Sequence, residues 1–197
     1  MKKPTKRSIE RLLIHELANK ISYLRNYVEM NTDAFDEDFV TLVSNLDILT
    51  KYLLDLKVLK RRTARGRLVP VAPILENAVS ELETFARLKC VDLEIRVQEP
   101  CKVKGDPFLI ERVIFNLLHN AVKFSPKGSS VLVGCKVGKE YVVVTIENSV
   151  NKESILKYSG TGVGLEISRR ILTSMGGQLD LELSEDKAMA RIYLPVN

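Results

Sequence analysis

The stretch of sequence that decides the fold is residues 111–124, which read ERVIFNLLHNAVKF. Apolar residues recur here in steps of three and four, as in an amphipathic helix, and the pattern predicts a helix over 106–124. At about 100° per residue, Asn116, Asn120 and Lys123 share a second stripe, roughly 130° from the apolar face. A carboxamide oxygen can ligate Mg²⁺, and a carboxamide N–H or an ammonium group can contact phosphate. An ordinary solvated helix face would show the same stripe.

A second polar signal follows at residues 160–165, which read GTGVGL and precede a predicted helix over 162–175. Glycines let the backbone approach a phosphate closely, and the N-terminus of a helix offers free N–H groups to an anion. Gly176 and Gly177 are predicted to end the same helix. A short glycine pattern is weak evidence alone, but with the polar stripe it indicates a phosphate site.

The first 60 residues predict two long amphipathic helices, over 8–28 and 39–56, joined by turn residues at 31–33. Such an antiparallel helical hairpin has too little core to stand alone, so we expect a homodimer in which two hairpins form a four-helix bundle. A basic run and Pro70 then interrupt the pattern. The predicted domains are therefore a hairpin (1–60), a linker (61–69) and a second domain (70–197).

In the second domain the strands outnumber the helices and adjacent strands form hairpins, which predicts an α+β sandwich with helices on one face of a mixed sheet. The predicted helices are 71–89, 106–124 and 162–175, and the predicted strands are 91–97, 101–104, 130–137, 140–147, 178–183 and 188–195.

Composition excludes several classes of protein. The formal charge is +5, but the basic residues are scattered apart from 1–7 and 57–67, so nucleic-acid binding is not expected. No apolar run reaches the roughly 18–20 residues that span a bilayer, and we expect a cytoplasmic chain without membrane insertion. The three cysteines show no metal-site or disulfide spacing and are expected to be reduced, partly buried packing residues. With two histidines, His15 and His119, a multi-histidine metal centre is excluded.

The two polar signals resemble motifs of one known family. Residues 111–126 resemble the N box of histidine kinases, residues 160–172 resemble their G2 box, and Gly105-Asp106 fits the position ahead of the N-box helix. The resemblance implies a GHKL-type ATP-binding sandwich over 70–197, with ATP and Mg²⁺ as cofactors. It implies Mg²⁺ ligation by Asn120 and Asn116, a phosphate contact from Lys123, a pocket wall from Phe124, and nucleotide contacts from Gly160, Thr161, Gly162, Gly164 and Leu165.

Two positions bear on the chemistry of this implied site. Asn116 stands where related ATPases carry a glutamate base, and an amide cannot take a proton, which favours transfer to a nucleophile over hydrolysis. Histidine kinases also carry Asp-x-Gly-x-Gly after the strand expected to end near Ile146, whereas residues 147–151 read ENSVN. If Glu147 replaces that Asp, weaker adenine binding is expected, because the loop also lacks the glycines of the usual motif. The segment expected to cover the nucleotide, 152–159, is short.

The first helix carries a further candidate site. His15 lies opposite the apolar face, so it is either a solvated surface histidine or a functional one. Residues 15–19, HELAN, resemble the H box of histidine kinases. The resemblance implies that His15 accepts phosphate and that Glu16 takes or orients the ring proton. Asn19 would position water for phosphatase activity, which stays an open second activity. Ala18 and Lys20 depart from the usual box.

The sequence thus predicts a dimeric histidine kinase core that phosphorylates His15 from ATP–Mg²⁺. The expected partner is the receiver domain of a response regulator, which accepts the phosphate. No sensor is recognisable, which leaves two interpretations open: a separate sensor protein, or a catalytic fragment of a longer chain. Two alternatives stay open. One is a histidine phosphotransfer protein or scaffold with a degenerate ATP site, and the other is an ATPase or serine kinase of the same fold.

Overall fold

The fold is that of a computed structural model, in which the chain divides into two units, Met1–Thr63 and Ala64–Asn197. The described residues are 21–28, 30, 39, 42–43, 46, 50, 67–97, 100–151 and 163–196. In the first unit, residues 21–28 and the described positions between 30 and 50 are helical. Val28 and Val43 are buried there, while Tyr23 and Met30 are exposed. The hairpin and the four-helix bundle stay predictions.

The second unit contains three helices and seven strands among its described residues. The helices are α1 (Ala72–Leu88), α2 (Pro107–Phe124) and α3 (Val163–Ser174). The strands are β1 (Arg67–Pro70), β2 (Asp92–Val97), β3 (Lys102–Gly105), β4 (Ser130–Val137), β5 (Tyr141–Ser149), β6 (Gln178–Leu183) and β7 (Lys187–Pro195).

Five strands form one mixed sheet in the order β2-β4-β5-β7-β6, in which β2 and β4 are parallel and all other neighbours antiparallel. Alternate residues of β4, β5 and β7 are buried, as in a sheet covered on one face. Helix α1 packs against β2, α2 against β5, and α3 against β6. The prediction of helices on one face of a mixed sheet is confirmed.

Helix α2 has clear start and stop signals. The carboxylate of Asp106 accepts a hydrogen bond from the N–H of Phe108 at 3.0 Å, and Pro107 occupies the first turn, where its missing N–H is tolerated. Ser125 ends the helix in an extended conformation ahead of Pro126. The predicted span of 106–124 therefore differs from the observed one by a single residue.

Strand β1 corrects the predicted linker at 61–69. Arg67–Pro70 pairs antiparallel with β3, so residues 67–69 belong to the second unit. A strand of four residues is too short for alternation to be recognised, and its partner lies more than thirty positions along the chain. Local sequence pattern therefore does not reveal it.

The cysteines also differ from expectation. Cys101 and Cys135 are buried and joined as a disulfide, 34 residues apart in the chain, whereas Cys90 is free and exposed. Cys101 immediately precedes β3 and Cys135 lies in β4, so the pair links the two sheets. This pairing depends on how the sheets pack, which the spacing of cysteines does not show.

The glycine pair after α3 acts as predicted. Gly176 has a φ of +75°, and the N–H of Gly177 donates to the carbonyl of Leu172 at 2.8 Å, closing the helix. A Cβ at position 177 would collide with the carbonyl oxygen of Tyr193. Gly177 therefore lets the end of α3 pack directly on β7.

Candidate functional site

A cleft of about 330 Å³ opens between α2 and the adjoining ends of β5, β6 and β7, with Leu165 from the first turn of α3 in its wall. This volume is in the range of small-molecule sites. Apolar residues form most of the lining, among them Leu117, Ala121, Phe124, Ile146, Val150, Leu181, Leu183 and Met189. The polar residues in the lining are Asn120, Asn148 and Glu182. An apolar slot with a few polar groups suits a flat ring carrying hydrogen-bonding edges.

The structure separates the three polar residues of the predicted α2 stripe. Asn120 lines the cleft. Asn116 is not in the lining but is 3% exposed, and its Nδ2 donates to Oγ of Ser168 on α3 at 2.8 Å. Residues four apart differ in direction by about 40°, which is enough to place one in the cleft and the other against α3. The expected role of Asn116 as a second Mg²⁺ ligand is therefore not supported by its position.

Lys123 lies beside the cleft rather than in its lining. Its ammonium is 5.6 Å from the ring centroid of Phe124, which does line the cleft. Burial, and to a smaller extent the charge of Lys89, lowers the pKa of Lys123. A cation whose charge is disfavoured by its surroundings gains from a nearby anion, which makes Lys123 a suitable neighbour for phosphate.

The first turn of α3 supplies the second edge of the cleft. Leu165 contacts the cleft and Gly164 precedes it in the helix. Glu166 in the same turn forms an ion pair with Arg170 at 2.8 Å. Gly160, Thr161, Gly162 and the predicted lid at 152–159 lie outside the described residues, as do His15, Glu16 and Asn19.

Strand β5 places Asn148, and not Glu147, in the cleft. The strand continues to Ser149 instead of ending near Ile146, and its alternation puts Asn148 on the same side as Ile146. Glu147 lies on the other side, where its carboxylate pairs with Lys187 at 2.9 Å. Glu147 is therefore not among the residues that line the cleft, because successive residues of a strand point to opposite faces of the sheet.

Asn148 is 6% exposed, and its Nδ2 donates to the carbonyl of Ser149 at 2.8 Å. That bond uses the amide nitrogen and leaves the amide oxygen as the acceptor for a ligand in the cleft. Strand periodicity over 141–149 was the signal that could have identified this residue.

His119 has a packing role. It is 2% exposed, and its ring stacks on Phe85 at 4.8 Å and on Phe115 at 6.4 Å between centroids. The ring thus fills the contact between α1 and α2. It is not among the residues that line the cleft.

The donor set indicates which metal would fit. Within the described part of the chain, no group of three or more His, Cys, Asp or Glu side chains could hold a metal ion. Mg²⁺ is commonly held by one or two protein oxygens together with substrate phosphates, and the Asn120 carboxamide offers one such oxygen. The residues present therefore fit Mg²⁺ that arrives with a nucleotide. Separately, none of the described helices is long and apolar enough to cross a membrane.

The part of the chain that forms most of this cleft matches a known family model. Residues 105–197 match the family model described as histidine kinase-, DNA gyrase B-, and HSP90-like ATPase, and this range contains α2, α3 and the cleft. The sensor histidine kinase CusS of Escherichia coli is 29% identical over 164 residues, which are 69% of this chain and 34% of CusS. The chain spans about a third of the length of CusS and about half of the length of the sporulation kinase C of Bacillus subtilis.

Two solved structures align with nearly the whole length of the chain. The histidine kinase AdeS of Acinetobacter baumannii has a TM-score of 0.62 at 21% identity, covering 93% of this chain and 98% of that one. The histidine kinase ThkA, in complex with the response regulator protein TrrA, has a TM-score of 0.61 at 18% identity, covering 96% of this chain and 61% of that one. At these identities the likeness is one of fold.

Proposed function

The chain belongs to the two-component sensor histidine kinases, and from that premise we propose that it transfers the γ-phosphate of ATP to its own His15. The family's domain binds ATP. The observation that supports the proposal most is the cleft, because the two helices with family-like motifs meet beside a slot of nucleotide size. ATP would lie with its base among the apolar walls and its phosphates toward Asn120 and the first turn of α3.

At the phosphate end, the Asn120 carboxamide oxygen would ligate Mg²⁺, which neutralises phosphate charge when bound. Lys123 would contact a phosphate oxygen, and free N–H groups at Gly164 and Leu165 would face the same anion. Gly160, Thr161 and Gly162 belong to this proposal through the motif alone. These groups hold the triphosphate in place and balance its charge, which is most of what phosphoryl transfer requires of a protein.

At the base end, we assign adenine recognition to Asn148 and one ring-facing wall to Phe124. With its nitrogen bonded to Ser149, the Asn148 side chain presents an oxygen that accepts from the amino group of adenine. Guanine carries a carbonyl oxygen at that position, so two acceptors would face each other. The cleft should therefore prefer ATP to GTP.

The contact made by Asn116 favours transfer over hydrolysis. Its amide cannot accept a proton and is bonded to Ser168 away from the cleft. Among the described residues that line the cleft, Glu182 is the one carboxylate, and it is paired with Arg191 at 2.9 Å. Within the described residues, the cleft therefore offers no carboxylate outside this ion pair for activating water, and the phosphate would pass to a nucleophile carried elsewhere in the protein.

That nucleophile is His15 in our proposal. Its neutral imidazole attacks the γ-phosphorus, a P–N bond forms as the bond to the ADP oxygen breaks, and Glu16 takes or orients the ring proton. A response-regulator receiver domain would then accept the phosphate, as the ThkA–TrrA complex suggests for a partner of this kind. The same proposal includes homodimerisation through the hairpin and phosphatase activity through Asn19. It also includes a separate sensor protein and a cytoplasmic location.

The test is to incubate the full chain with γ-labelled ATP and Mg²⁺. We expect label that is acid-labile and alkali-stable, as for phosphohistidine, and its complete loss in His15→Ala. That variant should still bind ATP, because residue 15 is outside the matched domain at 105–197. ATP binding without labelling would instead indicate an ATPase, and no ATP binding at all would indicate a scaffold with a degenerate ATP site. Alkali-labile label would indicate a serine kinase, and any of these results would contradict the proposal.

A further inference from the structure

Helices α2 and α3 are joined by one buried polar contact, which we call the α2–α3 bond. It runs from Nδ2 of Asn116 to Oγ of Ser168 over 2.8 Å, between residues 52 positions apart in the chain. Asn116 is 3% exposed and Ser168 is 1% exposed. The surroundings are apolar, since Val113, Leu117, Ile167 and Ile171 next to them on the two helices are also buried.

A buried polar pair holds two helices differently from an apolar contact. Apolar side chains tolerate small sliding of one helix along another, whereas a hydrogen bond weakens steeply once its distance and angle change. Sliding α3 would also leave a buried amide and hydroxyl without partners, which costs more than the bond itself contributes. The α2–α3 bond therefore fixes the position of α3 along α2.

By fixing the position of α3 along α2, the bond also fixes the distance between the two edges of the cleft. Asn120 follows Asn116 by one helical turn, and Leu165 precedes Ser168 by nearly one turn. Both residues line the cleft, one from each helix. The bond thus lies one turn behind the two groups that our proposed function assigns to the phosphate end.

We propose that Asn116 and Ser168 are positioning residues that set the distance between the Mg²⁺-binding side chain on α2 and the anion-binding first turn of α3. The proposal rests on the proposed function, because it concerns how the same ATP site is held. It replaces the ligand role expected for Asn116 and assigns a role to Ser168, which no motif indicated. The adenine contact assigned to Asn148, on β5, lies outside its reach.

The experiment compares Ser168→Ala, Asn116→Ala and the double variant in the full chain, by calorimetry with ATP–Mg²⁺ and with adenosine. Loss of one net hydrogen bond corresponds to about five- to tenfold in affinity. We expect that loss for ATP–Mg²⁺ in Ser168→Ala, with adenosine affinity unchanged within about twofold. The double variant should be no weaker than Asn116→Ala, because the two residues act through one bond.

Ser174→Ala is the matched control. The hydroxyl of Ser174 is on the same helix, but it donates to the carbonyl of Ile171 within α3 at 2.6 Å and does not join α3 to α2. It should leave both affinities unchanged. Ser168→Cys keeps the side-chain volume with a weaker donor and acceptor, and should give an intermediate loss for ATP–Mg²⁺. It serves if the alanine variant folds poorly.

The outcomes separate cleanly. Equal losses for ATP–Mg²⁺ and adenosine, or a lowered unfolding temperature with no change in either affinity, would show a structural role only and overturn the inference. Additive losses in the double variant would overturn it too. If the unaltered chain binds ATP–Mg²⁺ and Ser168→Ala binds it equally well, the inference fails alone. If the unaltered chain does not bind millimolar ATP–Mg²⁺, the proposed function fails and the inference with it.

Discussion

The phosphate end and the base end of the cleft are built from different kinds of contact. The phosphate end lies beside two helices whose relative position is fixed by a buried hydrogen bond between Asn116 and Ser168. The base end is an apolar slot whose outer wall is open, with Leu181 43% exposed and Leu183 65% exposed. Hydrogen bonds and charges demand exact distances, while apolar walls demand only approximate shape. Substitutions should therefore weaken binding more at the phosphate end.

The largest effect is expected for Asn120→Ala. This change removes the carboxamide that α2 directs into the cleft, and Mg²⁺ then loses its proposed protein ligand. We expect no measurable binding at millimolar ATP with Mg²⁺ in calorimetry. The control is Gln178→Ala, which removes an exposed carboxamide on β6 outside the cleft lining and should bind as the unaltered chain does. Retained binding in Asn120→Ala would contradict the assignment of the phosphate end.

A smaller effect is expected at the base end for Asn148→Ala. Loss of the acceptor should weaken ATP binding about tenfold and remove most of the preference for ATP over GTP. Asn148→Asp keeps an acceptor and should keep the preference. Competition between ATP and GTP for the cleft measures both quantities.

Glu147→Gln is the matched neighbour for that experiment. It weakens the ion pair with Lys187 on the opposite side of β5 and should leave ATP affinity unchanged. If Glu147→Gln removes the preference for ATP and Asn148→Ala does not, then the assignment based on the alternation of β5 is wrong.

The smallest effect concerns Lys123 and depends on pH. Its pKa is lowered from 10.5 by burial and by Lys89, so the folded state releases this proton at lower pH than the unfolded state does. Between the lowered pKa and 10.5 the unfolded state binds more protons, and stability rises with pH. Below that window both states are charged and the unfavourable burial of charge persists in full.

This sign can be checked by measuring the free energy of unfolding against pH. Relative to Lys123→Met, the unaltered chain should gain stability as pH rises toward 10.5. Lys136→Met, at an exposed lysine on β4, should follow the unaltered chain. A flat difference between the unaltered chain and Lys123→Met would show that burial of Lys123 is not felt in the folded state. Saturating ATP–Mg²⁺ should reduce the gain, because a phosphate nearby favours the charged form.

Sequence pattern predicted elements well wherever the pattern was long. Helix α2 was placed within one residue, and β4 and β6 were placed with their observed bounds. Strand β1 was missed because four residues carry no readable alternation, and β5 was ended two residues early because its polar end resembles a loop. Ending β5 early left Asn148 outside the predicted strand, so the alternation that places it on the same face as Ile146 was not applied to it.

By itself, the sequence determined that 106–124 forms a helix with one apolar face, that a glycine-flanked helix follows, and that both carry motifs of one family, because periodicity and turn chemistry are local properties. The tertiary structure alone decided what each polar residue on α2 does. Asn116 and Asn120 differ in direction by about 40°, and only the position of α3 makes one a partner of Ser168 and the other a side chain of the cleft. The pairing of Cys101 with Cys135 was decided in the same way, because the packing of two sheets brings together residues that are distant in the chain.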